Sequence, residues 1–343
     1  MKKNNILIFG AGSIGAHHIF AAKQLKCNVK FTDINITQVE YLKNTMYPSR
    51  YKQWDKTIQY IPYKDIFLLK DKFDLIVLGI PPKHHIDLLK RCIKNLNFKK
   101  ILVEKPLCVF NQNFNALKKI NKKNKIFCGF NHSISKSILT LIKHLQSKKI
   151  GKVETIEINW KEDFDYVLKA HPWLKNIKQS YLSDLKSGGG GCQEYSHAIH
   201  LAVTLKKVLF VKNKFELSKN INFKSKKNIF YDYKSTIKLT NDHCKITVNI
   251  DTISKNVDKS ILITGSKGKI LWKRELDKGF EKIEINSNKN KTFAYYKIKR
   301  KDDFINEHII LYKMKKNNNM LKNLNLDSSI ETMNIIKKLF KNV

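Results

Sequence analysis

The sequence lacks any uninterrupted apolar run near the about 18 residues that a membrane-spanning helix requires. Its six cysteines, Cys27, Cys92, Cys108, Cys128, Cys192 and Cys244, fall in neither paired nor metal-finger spacing. No spanning helix, disulfide scaffold or metal site is therefore read from the sequence, and a reducing, cytoplasmic setting is expected. There is no internal repeat at a period of about 20 to 50 residues, which excludes a solenoid or propeller. Acidic residues are scarce, 29 against 66 basic ones, for a net charge of +37. Arginine is scarcer still. It occurs only at positions 50, 91, 274 and 300, so that 62 of the 66 basic residues are lysine. Base readout and phosphate clamping favour the planar guanidinium, and these lysines are spread along a chain also rich in Asn and Ile, as a coding bias would leave them. Neither a specific nucleic acid nor a membrane is expected as partner.

With 343 residues and 42% hydrophobic side chains, the chain can form two packed domains. Lys2 and Lys3 before an apolar stretch imitate a signal peptide, but His17 and His18 fall where a cleavage site should sit. A nucleotide site explains the region better. Residues 6–9 (ILIF) read as a buried strand running into Gly10, Ala11, Gly12, Ser13, Ile14 and Gly15, after which the pattern turns helical. Gly10 permits the tight turn, Gly12 lets the backbone approach a pyrophosphate, and Gly15 allows helix and strand to pack closely. The helix N-terminus then offers free N–H groups to the phosphates. A second strand, residues 28–32, ends in Asp33, whose carboxylate can accept both ribose hydroxyls and would repel a 2′-phosphate. NAD is expected in preference to NADP.

Two further buried strands follow, residues 73–79 and 100–103. The first delivers Ile80, Pro81 and Pro82, with His85 opening the next helix; the second delivers Glu104, Lys105 and Pro106 to the same rim. Rims at the carboxyl ends of parallel strands are where such sheets bind ligands. His17, His18 and His84 read as surface or loop residues.

The glycine turn, Pro81-Pro82 with His85, Glu104-Lys105-Pro106 and a later glycine run with a His resemble the Gfo/Idh/MocA family of nicotinamide-dependent oxidoreductases. The Glu-Lys-Pro triplet is the most specific part. The resemblance implies an α/β Rossmann-type dinucleotide-binding domain, placed at residues 1–126, followed by an α+β domain with an open, mainly antiparallel sheet at 127–343. It also implies a sugar-like substrate and a homo-oligomer formed through the sheet domain. Asn131 matches a family position near the sugar pocket, and His171, Trp173 and His200 are further candidate substrate residues.

In the second half, Ile138, Leu141, Ile142 and Leu145 recur at helical spacing, and Ile156, Ile158 and Trp160 alternate as on a half-buried strand. Gly188 to Gly191 let the backbone approach a flat ring or a second chain, and from Glu194 onward the segment reads as helical, with Glu194 and His197 one turn apart. Here the sequence departs from the family: His200 stands where Asp is common, and Glu194 lies three residues before the His where the longer form has Asp four before it.

Moving a hydride to or from a carbinol carbon requires a proton to leave or join its oxygen. His titrates near working pH, and an ammonium beside that oxygen stabilises developing negative charge. His197 is read as acid/base, Lys105 as its electrostatic partner and Glu194 as the group that tunes them; Cys192 reads as packing. An enzyme that retains NAD for epimerisation or glycoside cleavage, a non-catalytic NAD-binding protein, and a nucleic-acid-binding protein stay as alternatives. Residues 219–228 and 315–323 read as polar, mobile loops, and Ile330, Met333, Ile336, Leu339 and Phe340 as a terminal amphipathic helix.

Overall fold

In the computed structural model, residues 3–121, 125–169, 174, 176–210, 213–287, 290–313 and 319–343 are described. The chain divides into two compact units: Met1–Asn131 with Arg300–Ile330, and His132–Lys299 with Glu331–Val343. The sequence expectation of one cut near residue 126 contains no sign of the return of residues 300–330 to the first unit.

The first unit is built on a six-stranded parallel sheet: β1 (Asn5–Phe9), β2 (Asn28–Thr32), β3 (Gln59–Tyr60), β4 (Lys72–Leu78), β5 (Asn97–Val103) and β6 (Ile126–Cys128). Its order is β3-β2-β1-β4-β5-β6. The near-continuous apolar runs on β1, β4 and β5 are what a strand covered on both faces requires, and Ile6, Leu7, Ile8, Leu75, Ile76, Val77, Ile101 and Leu102 are fully buried. Strand order reverses between β2 and β4 on either side of β1, which places the switch point of the sheet at the glycine turn.

The second unit holds an eight-stranded sheet: β7 (Val153–Lys161), β8 (Glu216–Lys226), β9 (Ile229–Thr240), β10 (Lys245–Asp251), β11 (Asp258–Gly265), β12 (Gly268–Glu275), β13 (Phe280–Ser287) and β14 (Asn290–Lys297). Its order is β14-β13-β12-β11-β7-β10-β9-β8, antiparallel except for the β7–β10 pair. Alternation decides which face is covered. Ile156, Ile158, Trp160, Ile246, Val248, Ile250, Ile261, Ile263, Ile270 and Trp272 are buried, while Glu157, Asn159 and Asn249 hydrogen-bond one another on the other face. Helices Lys136–Gln146 and Ser196–Leu209 supply the cover. The terminal helix is present as Leu326–Leu339, with Ile330, Met333, Ile336, Leu339 and Phe340 all buried.

Two loop expectations are corrected. Residues 219–226 are strand, the greater part of β8, because Ile221 and Phe223 sit among the lysines and asparagines and pair with β9, with Phe223 stacked on Phe230. Of the second stretch, residues 319–323 are helical within Asn319–Leu324, and 315–318 lie outside the described residues. Among the described residues, no helix is long and apolar enough to cross a membrane.

Candidate functional site

In the first unit, β1 delivers the glycine turn to the N-terminus of helix Ser13–Gln24. Each glycine has a different reason to be there. Gly10 has φ +108°, and a Cβ on it would lie 2.3 Å from the Gly79 carbonyl oxygen; one on Gly15 would lie 1.9 Å from the Gly10 carbonyl oxygen. Both are therefore dictated by packing. Gly12 is not: its backbone is extended, at φ −80°, and a Cβ there would meet nothing within 4 Å. The space over Gly12 is a cradle that the protein itself does not fill. Among the described residues no side chain caps the helix start, which leaves its first N–H groups to an anion.

Asp33 follows β2 and is held by the turn it flanks. One carboxylate oxygen accepts the Ala11 N–H at 2.7 Å and the other the Asn35 N–H at 2.8 Å. Arg50, which sequence reading passed over, donates to the Ser13 hydroxyl at 2.9 Å and so brings a guanidinium to the start of the helix. Its rarity among 62 lysines was the available signal. These residues fit a dinucleotide: an open cradle, an uncapped helix end, a guanidinium and a carboxylate fixed beside the turn.

At the rim, Ile80 and Pro81 precede a buried Pro82, and His85 opens helix His85–Asn95. His85 is completely buried, with one ring nitrogen 2.8 Å from the Ile80 carbonyl oxygen and the other 3.0 Å from that of Pro106. It braces the two rim turns against each other, and burial lowers its pKa. Glu104 also turns inward. Its carboxylate lies 2.7 Å from His18 Nε2 and accepts the Lys105 backbone N–H at 3.1 Å, leaving Lys105 half-buried at the rim after a cis Lys105–Pro106 peptide. Gly129 provides the room, since a Cβ there would come within 2.8 Å of that carboxylate.

The expectation that His17 and His18 are surface residues is corrected. His18 is fully buried and hydrogen-bonded through Nδ1 to His308 Nε2 at 2.9 Å; His17 is buried against Phe304, and burial lowers its pKa to about 2. His84 is exposed, as expected.

In the second unit, His197 is half-buried in helix Ser196–Leu209, with its ring 4.4 Å from that of His132 and stacked at 5.8 Å on Trp160. His132 is new to the site. Its Nδ1 receives an Arg274 N–H at 3.2 Å, and because a guanidinium can only donate, His132 carries its proton on Nε2. Arg274 is in turn paired with Glu281 at 2.5 Å, both nearly inaccessible, and Ser137 links Glu281 to the Trp272 indole N–H. A buried ionic network thus fixes the imidazole that lies edge-on to His197.

The expected single helix through Glu194 and His197 is broken. Gly191–Glu194 and Ser196–Leu209 are separate helices joined at Tyr195, whose backbone leaves the helical region and whose hydroxyl donates to the Glu162 carbonyl at 2.8 Å. Glu194 accepts the Tyr181 hydroxyl at 3.0 Å. The glycine run is explained by the protein's own atoms: a Cβ on Gly189 would lie 2.2 Å from the Tyr181 carbonyl oxygen, and one on Gly190, at φ +84°, 2.1 Å from Asp232 Oδ1. Asp232 is wholly buried, accepts the Cys192 N–H at 2.9 Å, and is pushed up to about 6 by desolvation. Cys192 is buried packing, its thiol raised by the same cause.

The remaining candidates separate. Asn131 is buried just past β6, at the end of the first unit's opening segment. His200 is 1% exposed and hydrogen-bonded to Thr332 at 3.0 Å. His171 and Trp173 lie outside the described residues.

No curated protein matches the chain. Among solved structures, an aldose-aldose oxidoreductase from Caulobacter crescentus, crystallised with glycerol, superposes with a TM-score of 0.73 at 12% identity, over 99% of this chain and 97% of that one. An inositol dehydrogenase homolog from Azotobacter vinelandii, complexed with NAD+, gives 0.72 at 13% identity, over 98% and 94%. A levoglucosan dehydrogenase, complexed with NADH and L-sorbose, gives 0.73 at 13%, over 99% and 98%. At these identities the likeness shows a shared fold. Residues 4–132 match the model of the oxidoreductase family with an NAD-binding Rossmann fold. Over that stretch the chain is similar to the Gfo/Idh/MocA oxidoreductases.

Proposed function

We propose that the chain transfers a hydride between NAD and a sugar or sugar-derived alcohol or ketone, with Lys105 and His197 handling the proton. The observation that carries the reading is the cradle over Gly12, flanked by an uncapped helix start and Asp33, on the same rim as Lys105. Nicotinamide supplies or accepts the hydride when bound.

The rest is work for the side chains. His197 takes the hydroxyl proton in oxidation and returns it in reduction, and Lys105 stabilises negative charge on that oxygen. Glu194, held by Tyr181, tunes the field around His197, and Asn131 offers a polar contact to a hydroxylated substrate. Solved structures of the same fold hold glycerol and sorbose, which supports a polyol class. The outer face of the second sheet, where Leu262 and Leu271 pair across strands and Phe293 is exposed one strand beyond Glu284, is assigned to a second copy of the chain.

The test is titration with NADH and NADPH at low and near-physiological salt, followed by a sugar and polyol screen. Lys105→Ala and His197→Ala are expected to keep NADH affinity within about twofold and to lower turnover by about 10²-fold or more. Dinucleotide binding that vanishes at physiological salt, or turnover indifferent to both substitutions, overturns the reading.

A further inference from the structure

Within the first unit, three residues far apart in sequence converge. His18 lies on helix Ser13–Gln24, Glu104 follows β5, and Glu307 lies on helix Arg300–Lys313. One ligand atom from each lies within 4.8 Å of the other two, and all three side chains are buried. Glu307 is completely inaccessible, and neither of its carboxylate oxygens has a hydrogen-bond partner among the described residues. A buried carboxylate without a donor is costly unless a proton or a cation neutralises it.

The surroundings are arranged as an outer shell for a metal ligand. His18 presents Nε2 to the cluster while its Nδ1 is held by His308 Nε2 at 2.9 Å, and His308 is held by the Tyr312 hydroxyl at 3.2 Å. A ligating imidazole needs such a partner on its second nitrogen to fix tautomer and ring orientation. Charge also balances: two carboxylates and a neutral imidazole around a divalent ion sum to zero. One imidazole with two carboxylates suits a borderline first-row ion rather than the soft thiolate-seeking metals. His18 Nε2 and Glu104 Oε1 stand 2.7 Å apart, which subtends about 80° at an ion about 2.1 Å from each; that favours five or six ligands over a tetrahedron.

We propose that His18, Glu104 and Glu307 form a buried site for a divalent first-row metal ion, of the zinc or manganese class. The ion ties helix Arg300–Lys313 to the end of β5. Because Glu104 also accepts the Lys105 backbone N–H, it stiffens the turn that presents Lys105.

The experiment uses the full chain. Protein produced with added zinc or manganese is dialysed against metal-free buffer and its metal content measured. Stripped protein is then titrated with Zn²⁺, Mn²⁺ and, as a spectroscopic probe, Co²⁺. About one equivalent per chain is expected, with Co²⁺ absorption bands and a raised melting temperature, all lost in Glu307→Gln. That substitution is nearly isosteric and removes a buried acid, so folding is expected to survive it. His18→Gln is the second variant, expected to lose the Co²⁺ bands as well. Less than a tenth of an equivalent in the wild type, or equal binding by Glu307→Gln, overturns the proposal and leaves a proton held by Glu307 as what neutralises the cluster.

Discussion

Replacing Asp33 by Asn is expected to move cofactor preference toward NADPH by an amount the geometry bounds. Both carboxylate oxygens are fixed by backbone N–H groups, at 2.7 Å from Ala11 and 2.8 Å from Asn35, so the charge cannot swing away from a ribose bound over the turn. A unit charge on a 2′-phosphate about 4 Å off would be repelled by about 1 kcal/mol in bulk water and about 4 kcal/mol at the effective dielectric of a protein surface. Asp33 is half-buried, between those limits. Removing its charge should therefore raise the NADPH-to-NADH affinity ratio by about 10- to 300-fold. Asn can supply an acceptor to only one of the two N–H groups, and the loss of the other weakens the turn for both dinucleotides alike; the ratio cancels that loss. The assay is energy transfer from tryptophan to the reduced nicotinamide, at near-physiological ionic strength, because +37 attracts the extra phosphate unspecifically at low salt. A ratio unchanged within twofold would show that Asp33 does not face the ribose.

The two alanine substitutions in the glycine turn should part company: Gly15→Ala is expected to cost more than about 2 kcal/mol in urea unfolding, whereas Gly12→Ala leaves stability within about 0.5 kcal/mol and lowers NADH affinity at least about tenfold. Equal effects on stability would refute the ligand-cradle reading of Gly12. For Asp232, the folded-state pKa of about 6 lies above the ordinary carboxylate value of 3.8, so the protonated form favours folding; stability present below about pH 4 is lost as pH rises through 6, by about 3 kcal/mol. Denaturation of wild type and Asp232→Asn from pH 4 to 7 should show the variant gaining that amount relative to wild type as pH rises, and a flat difference would refute it. Arg274→Lys keeps the charge but not the planar donors shared between Glu281 and His132. It should cost about 1–3 kcal/mol and let the His132 proton redistribute between its nitrogens, as read by nitrogen-15 shifts; an unshifted tautomer would refute the assignment.

How far the sequence could be read follows from the range of each interaction. The turn at residues 10–15, the strand before it and Asp33 after β2 were legible because each is a local pattern, and β1, β2, β4 and β5 lie where their apolar runs place them. β8 was not, since alternating Ile221 and Phe223 are diluted by Lys and Asn and acquire meaning only through pairing with β9. His18 was read as surface because nothing near position 18 announces Glu104, His308 or the helix Arg300–Lys313 that covers it. The break at Tyr195 is likewise non-local: the Tyr195 hydroxyl reaches back to Glu162, and Asp232 anchors the glycine run from across the sheet. The contacts of His85 were hidden for a different reason. Its place after the Pro81-Pro82 turn is local, but that its two ring nitrogens face the Pro106 and Ile80 carbonyls is not.

The scarcity of arginine gives a second way to find what this chain cannot do with lysine. Where charge alone suffices, 62 lysines supply it, and most of the surface ion pairs are lysine pairs. The guanidinium stands where geometry is demanded. Arg274 is buried between Glu281 and His132, which a single ammonium cannot serve with the same planar fork; Arg50 meets the Ser13 hydroxyl at the start of the dinucleotide turn; Arg91 lies 4.2 Å over Phe67 while donating to the Tyr63 hydroxyl. In a lysine-saturated composition the residue that resists substitution marks a shape requirement. Two of these three arginines lie in the regions that the glycine turn and His197 had already singled out on unrelated grounds.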